Sequence, residues 1–159
     1  MTQSTYQRFE TGISENNLKH WGELHVVKEF LQNAVYAKTI LGDNIEITYD
    51  SEDGQAVITN TPSGFTKGKL LIGESAQADV DGAPGQYGEG MKVAMAIAKR
   101  LGLACAVQTN GFTVHPELEP SSLDESVNTL VFYIEEHNEQ VGTQFRVECR
   151  EEILEEAKT

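Results

Sequence analysis

The chain has 159 residues, enough for one domain with a single core, and its hydrophobic and charged fractions of 39% and 23% are those of a globular rather than a disordered protein. No apolar run approaches the roughly 20 residues that a membrane-spanning helix needs, and MTQSTYQRFE lacks the apolar stretch of a secretory signal, so we expect a cytoplasmic protein with no membrane partner. The formal net charge of −13 and the scattered basic residues argue against direct binding of nucleic acid.

In chain order, the sequence predicts an N-terminal arm over 1–20 and a single domain over 21–159. Apolar residues in the first helix of that domain recur at three- and four-residue steps, which indicates one buried stripe. The predicted elements are a helix over 21–38, strands over 45–49 and 56–59, a long Gly-rich loop over 73–88, a helix over 89–101, strands over 104–109, 112–114, 129–135 and 143–148, and a final helix within 150–159. This order predicts an α+β fold, a two-layer sandwich in which a mostly antiparallel mixed sheet carries helices on one face.

Two polar residues of the first predicted helix, Glu29 and Asn33, are four residues apart and therefore project from the same face, clear of the apolar stripe. The amide oxygen of Asn33 is a hard ligand of the kind that Mg²⁺ accepts. Glu29 has the chemistry to hold and deprotonate a water aimed at a terminal phosphate. Because a Glu and an Asn at this spacing also occur on many helices as a solvated pair, the pair alone leaves both interpretations open.

A Gly-rich segment, GQYGEGMK, stands immediately before the second predicted helix. Its glycines let the backbone approach an anion closely, and the free amides at the start of the helix form a phosphate cradle to which Lys92 adds a positive charge. The segment has neither the ending of a Walker loop nor the preceding strand of a dinucleotide-binding fingerprint. Ordinary turn chemistry is the competing interpretation. The candidate phosphate-binding residues are Gly85, Gln86, Tyr87, Gly88, Glu89, Gly90, Met91 and Lys92.

Two strand ends supply further candidates. In ITNTPSGF, Asn60 ends a predicted strand, where its side chain can read the edge of a base, and Gly64 shapes the turn beyond it. In VGTQFRV, Thr143 begins a late strand. Each segment also fits an ordinary turn, and only the order of the four elements along the chain points to a nucleotide site.

Together, the four elements resemble the GHKL (Bergerat-fold) ATPase superfamily, which includes DNA gyrase, large heat-shock chaperones, histidine kinases and mismatch-repair ATPases. The resemblance covers about 21–148. It implies that Glu29 is the general base, that Asn33 binds Mg²⁺ and that Thr143 lies near the adenine of ATP. It also implies that the Gly-rich segment is a lid over the phosphates. The implied function is ATP binding with slow Mg²⁺-dependent hydrolysis, which would make the protein a hydrolase coupled to lid closure.

Two positions depart from the pattern of that superfamily. Its strand-end motif begins with an Asp that accepts a hydrogen bond from the adenine amino group and has a Gly two residues later, where this chain has Asn60 and Pro62; Gly64 matches the second glycine. Many members carry an acidic residue where this chain has Tyr36. An amide oxygen can still accept the bond from adenine but lacks the charge, so we expect an altered or weakened preference for adenine. With Tyr36 in place of the acidic residue, we expect nucleotide binding with slow rather than efficient hydrolysis.

Two other functions stay open. One is a nucleotide-sensing module in which ATP orders the lid and creates a surface for a protein partner or a homodimer, without hydrolysis. The other is an acidic protein that docks on a basic partner and inhibits it. The segments RFETGIS and LKHWGELHVVKEFLQNA also resemble phage-encoded ATP-binding proteins related to the rapid-lysis A protein of T-even phages, which implies the cytoplasm of an infected bacterium.

Overall fold

The computed structural model describes residues 6–16, 19–67, 70, 89–137 and 142–159. Within these residues the chain forms three helices and seven strands, close to the elements that the sequence predicts. The Gly-rich loop predicted over 73–88 lies outside the described residues. The elements are β1 Tyr6–Ser14, α1 Glu23–Leu41, β2 Asn44–Asp50, β3 Gln55–Thr61, α2 Glu89–Arg100, β4 Cys105–Thr109, β5 Phe112–Pro120, β6 Asn128–Glu136, β7 Thr143–Glu148 and α3 Glu151–Ala157.

The seven strands form one sheet in the order β1-β6-β5-β4-β7-β3-β2. Every pair of neighbours in this sheet is antiparallel. The α+β prediction is confirmed, but the prediction of a mixed sheet is wrong for the strands that the structure describes. Strands that are neighbours in both chain and sheet are joined by short connections, and such connections reverse the chain, whereas a parallel pair needs a crossover. The two crossovers that contain α1 and α2 join strands that are not paired with each other.

One face of the sheet is covered by helices, and the other face carries none of the helices in the described part of the chain. In β7, Phe145 and Val147 are fully buried, whereas Gln144 and Arg146, which alternate with them, are only half-buried. Such alternation is typical of a strand whose sheet is covered by helices on one side. Phe30 of α1 stacks on Phe145 with the ring centroids 5.4 Å apart. Burial of an aromatic side chain of this size stabilises the fold by roughly 1.5–3 kcal/mol. The helices and this face of the sheet therefore enclose the core.

The N-terminal segment corrects the sequence prediction. The residues 6–14, expected to belong to an irregular arm, form β1 at one edge of the sheet and pair with β6. The Thr11 hydroxyl donates a hydrogen bond to the Leu130 carbonyl oxygen at 2.8 Å. The strand was missed because its register shifts between Glu10 and Ser14, so that its polar and apolar residues do not alternate regularly.

The second correction concerns β5, which continues to Pro120 rather than ending at Val114. Its polar residues Thr113, His115, Glu117 and Glu119 alternate with the residues that face the helices, so this half of the strand looks like a polar loop in the sequence. None of the helices in the described part of the chain is both long enough and apolar enough to span a membrane.

Candidate functional site

The first and second predicted site elements meet in the structure. The Glu29 side chain of α1 lies against the first turn of α2, where a Cβ atom placed on Gly90 would be 2.4 Å from Glu29 Oε2 and 3.1 Å from its Cδ. No real Cβ approaches an oxygen this closely, so the residue at this position must be glycine for the carboxylate to keep its place. Two segments that are far apart in the sequence are thus brought together by the packing of α1 on α2. We call this junction the Glu29–Gly90 contact.

The Glu29 carboxylate is half-buried at this contact. Burial raises its pKa above the ordinary value of 4.5, because the charged form loses solvation. A carboxylate with a raised pKa is a better proton acceptor near neutral pH than a fully solvated one. The position beside the first turn of α2 also puts this negative charge near helix amides that have no partner within the helix. The geometry therefore suits both anchoring and proton transfer.

Asn33 is buried rather than clear of the apolar stripe, because it is only 6% exposed. Its Nδ2 donates a hydrogen bond to the Glu29 carbonyl oxygen, one turn earlier in α1, at 2.8 Å. This bond uses the NH₂ end of the amide and leaves Oδ1 as its acceptor end. A fixed amide oxygen of this kind is chemically suited to a hard cation such as Mg²⁺.

The other residues of the predicted phosphate-binding segment lie partly inside and partly outside the described part of the chain. Lys92 of α2 is buried, and Met91 belongs to the hydrophobic core, so that a Met91 side-chain contact with phosphate has no support from its position. Glu89 is the first residue of α2. Four residues lie outside the described part of the chain: Gly85, Gln86, Tyr87 and Gly88.

On the sheet, three polar residues line up at the same end of adjacent strands. Thr143 of β7 is in register with Asn60 of β3 on one side and with Thr109 of β4 on the other. Each is buried, with at most 2% of its surface exposed. Each lies on the helix-covered face, because it is separated by one residue from a fully buried apolar residue of the same strand. We call these three residues the polar row.

The hydroxyl groups of the polar row are held in one arrangement. The Thr143 hydroxyl donates to the Ser63 carbonyl oxygen at 3.0 Å. Since its hydrogen is used there, the 3.0 Å contact between the Thr143 and Thr109 oxygens requires Thr109 to donate. Thr109 Oγ1 in turn accepts the Phe65 amide at 2.9 Å. The turn after β3 is therefore fixed to the ends of β4 and β7.

In the Asn60 side chain, the NH₂ group is hydrogen-bonded to described residues and the carbonyl oxygen is not. Its Nδ2 donates to Asp43 Oδ2 at 2.9 Å and, more weakly, to the Ser63 carbonyl oxygen at 3.3 Å. Its Oδ1 is buried and accepts no hydrogen bond from the residues that the structure describes. A buried acceptor without a donor costs roughly 1–3 kcal/mol. This oxygen is thus a position where a donor on a bound molecule would be favourable.

Asp43 is the site residue that the sequence analysis missed. It lies two residues after the end of α1 and is 5% exposed, although Asp is rarely buried without a partner. The only local signal is an Asp between the end of a helix and a strand, which is common in ordinary connections. Its partners, Asn60 and Ser63, follow much later in the chain, so only the fold shows the pairing.

The packing of two turns requires glycine at position 64. A Cβ atom at this position would be 2.3 Å from Asn110 Oδ1 and 2.9 Å from Thr109 Oγ1. Asn110 also donates from Nδ2 to the Phe65 carbonyl oxygen at 2.8 Å. The glycine therefore lets the turn after β3 lie flat on the turn between β4 and β5, next to the polar row.

The direction of α1 relates the two parts of the site. At the start of α1, the Glu23 carboxylate accepts a hydrogen bond from the backbone amide of Arg150 at 3.0 Å, and Arg150 follows the end of β7. Immediately after its end, Asp43 binds Asn60 at the opposite end of the strands. α1 thus runs across the sheet toward the polar row, and Asn33 lies in the half of the helix nearer to that row.

Comparisons with known proteins add no assignment. No protein-family model matches the chain, and no curated protein matches it either. Within the described residues, no group of three or more His, Cys, Asp or Glu side chains is arranged to hold a metal ion. Function is therefore inferred from the residues and geometry of the site.

Proposed function

We propose that this chain binds ATP at a site of the GHKL (Bergerat) type and hydrolyses it slowly with Mg²⁺. The observation that carries the proposal is the Glu29–Gly90 contact, because it joins the helix with the Glu–Asn pair to the glycine-containing start of α2. The α+β sandwich with helices on one face is compatible with a Bergerat fold. The proposed ligands are ATP, ADP and Mg²⁺.

Glu29, Asn33 and Lys92 are the residues proposed to act on the phosphates of ATP. Glu29 accepts a proton from the attacking water, and its raised pKa suits a general base. Asn33 Oδ1 is the protein ligand proposed for Mg²⁺. The hydrogen bond from Asn33 Nδ2 to the Glu29 carbonyl oxygen holds the amide group, and therefore Oδ1, in place. Mg²⁺ supplies charge neutralisation on the phosphates. The amides of the first turn of α2 and Lys92 are proposed to bind the phosphate oxygens.

On the base side, Asn60 and Thr143 are the proposed adenine contacts. The unsatisfied Asn60 Oδ1 is suited to accept a hydrogen bond from the exocyclic amino group of adenine. The Thr143 hydroxyl has already given its hydrogen to Ser63, so its contribution to a ligand is as an acceptor. This assignment is supported by the burial of both side chains and by their neighbouring positions in the sheet.

The test is Glu29→Ala, with ATP affinity measured by calorimetry and turnover measured as phosphate release. Loss of a general base lowers a rate by about 10²–10⁴-fold. We expect that fall in phosphate release with ATP affinity retained. Gln32→Ala is the matched control, because Gln32 is exposed on the same helix and should change neither quantity.

Three results would change the proposal. Equal phosphate release by Glu29→Ala and the wild type would exclude Glu29 as the base. Tight ATP binding by the wild type without any release would favour a nucleotide-sensing module. No binding of ATP or ADP in the presence of Mg²⁺ would contradict the whole proposal and favour the acidic partner-binding protein, whose association would weaken with salt.

A further inference from the structure

The buried carboxylate of Asp43 is unusual because its hydrogen bonds all come from neutral groups. Asn60 Nδ2 donates to Oδ2 at 2.9 Å, the Ser63 amide donates to Oδ2 at 2.9 Å, and the Ser63 hydroxyl donates to Oδ1 at 2.7 Å. No ion pair with Asp43 occurs among the described residues, and its side chain is almost fully buried. A buried charge of this kind is tolerated only because donors surround it.

The carboxylate determines which way the Asn60 amide faces. A carboxylate can only accept hydrogen bonds, so only the NH₂ end of the amide can lie against it. Turning the amide over would replace a charge-assisted hydrogen bond by a contact between two oxygen atoms. The Ser63 carbonyl oxygen, which also accepts from Nδ2, opposes the same rotation. The amide therefore keeps its carbonyl oxygen on the side away from Asp43.

We propose that Asp43 is a positioning residue for base specificity: it locks the Asn60 amide so that the site presents an acceptor and selects a base with an exocyclic amino group. This inference rests on the proposed ATP site. A base that carries a keto oxygen at the same place would face Asn60 Oδ1 with a second acceptor and would be rejected. The Asp43 carboxylate does not contact the base itself. It acts through Asn60, because it fixes the direction in which the Asn60 amide faces the base.

A purely structural role for Asp43 is the competing explanation, since its bonds to Ser63 also tie the turn after β3 to the start of β2. Stability measurements alone do not separate the two roles. The ratio of the affinities for ATP and inosine triphosphate does, because the two nucleotides have identical phosphates and differ where adenine carries its amino group. A change in overall charge or in phosphate binding cancels in this ratio.

The experiment measures dissociation constants of ATP and inosine triphosphate in Mg²⁺ for four proteins. We expect the wild type to prefer ATP by about tenfold or more, since a mismatched acceptor loses about one hydrogen bond. Asp43→Asn should reduce that preference to within about threefold, because the Asn60 amide is then free to turn its NH₂ outward. The double variant D43N/N60D exchanges carboxylate and carboxamide, and it should restore the preference. Ser63→Ala is the control, because it removes a hydroxyl bond to Asp43 but leaves the Asn60 bond, and its ratio should stay at the wild-type value.

The possible results distinguish a failure of the ATP site from a failure of the positioning role of Asp43. A wild type that binds neither nucleotide contradicts the ATP site itself. A wild type that prefers ATP, together with an unchanged ratio in Asp43→Asn, overturns the positioning role while the ATP site stands. If Asp43→Asn does not fold, as judged by its thermal unfolding, Asp43→Ser decides, because a serine hydroxyl can both donate and accept and so leaves the Asn60 amide free to turn. A reduced preference for ATP supports the positioning role, and an unchanged preference contradicts it.

Discussion

The polar row and the Glu29–Gly90 contact are built in different ways, although both belong to the candidate site. The polar row consists of strand residues whose hydroxyl and NH₂ groups bond to fixed partners, with one acceptor left over. The Glu29–Gly90 contact has one partly desolvated carboxylate held against a backbone without a side chain. Preorganised hydrogen bonds confer specificity and stability, whereas a poised charge confers reactivity. Substitutions in the two regions should therefore have separable effects.

The largest expected effect is on turnover, from Gly90→Ala. The added methyl group would overlap Glu29 Oε2 and displace the carboxylate, which can move because it ends a flexible side chain. A displacement of about 1 Å in a catalytic group can lower a rate by about 10²-fold. We expect a fall of that size in phosphate release, with little change in the thermal unfolding temperature.

Gly22→Ala is the matched control for that variant, because a Cβ at Gly22 meets no atom within 4 Å. It should release phosphate at the wild-type rate. If Gly90→Ala also kept the wild-type rate, the Glu29–Gly90 contact would have no part in turnover.

The next effect is on stability, from Thr143→Val in the polar row. Valine has nearly the same shape but removes the hydroxyl that bonds to Ser63 and Thr109, which leaves a buried donor on Thr109 without its acceptor. Such a loss costs roughly 1–3 kcal/mol in the free energy of unfolding, measurable by urea denaturation. Thr48→Val on the exposed side of β2 should stay within about 0.5 kcal/mol of the wild type. Equal stabilities of the two variants would show that the row is not held by these bonds.

The smallest effect is a pH-dependent one, from Glu29→Gln. Because burial raises the pKa of Glu29 in the folded protein, the folded state binds this proton more tightly than the unfolded state. The wild type therefore loses stability as pH rises from the ordinary value of 4.5 through the folded pKa, and the full cost is present above that pKa. Glutamine removes the cost, so the variant should be the more stable protein at pH 7, and the difference should shrink at pH 4.

Urea denaturation of both proteins at the two pH values checks this prediction, since the difference between them isolates residue 29 from the other carboxylates. A variant that is less stable than the wild type at pH 7 would mean that the first turn of α2 stabilises the charge by more than burial destabilises it.

The parts of this molecule that follow from local sequence could be predicted, and the parts that depend on distant pairing could not. The stripe of α1 and the start of α2 at Glu89 depend on nearby residues, and their predicted bounds agree with the structure within a few residues. β1 was missed because its register shift breaks the regular alternation and because its partner strand follows more than a hundred residues later. Periodicity alone carries no information about such a partner.

The candidate site shows the same division. The spacing of Glu29 and Asn33 predicts a shared helix face, but the burial of Asn33 depends on the layers packed around it. Asp43 gave only a weak local signal, because its hydrogen bond with Asn60 forms only where the ends of α1 and β3 meet. Register across β4, β7 and β3 assembles the polar row, and no short motif encodes that register.

The most direct test of the central claim is a thermal unfolding series of the wild-type chain with ATP, ADP and no nucleotide, each with and without Mg²⁺. A ligand at about 100 times its dissociation constant stabilises the folded state by about 2.7 kcal/mol. We predict a rise in unfolding temperature with ATP that is larger with Mg²⁺ than without it. An unfolding temperature that no nucleotide changes, at millimolar concentration and with Mg²⁺ present, would contradict the account.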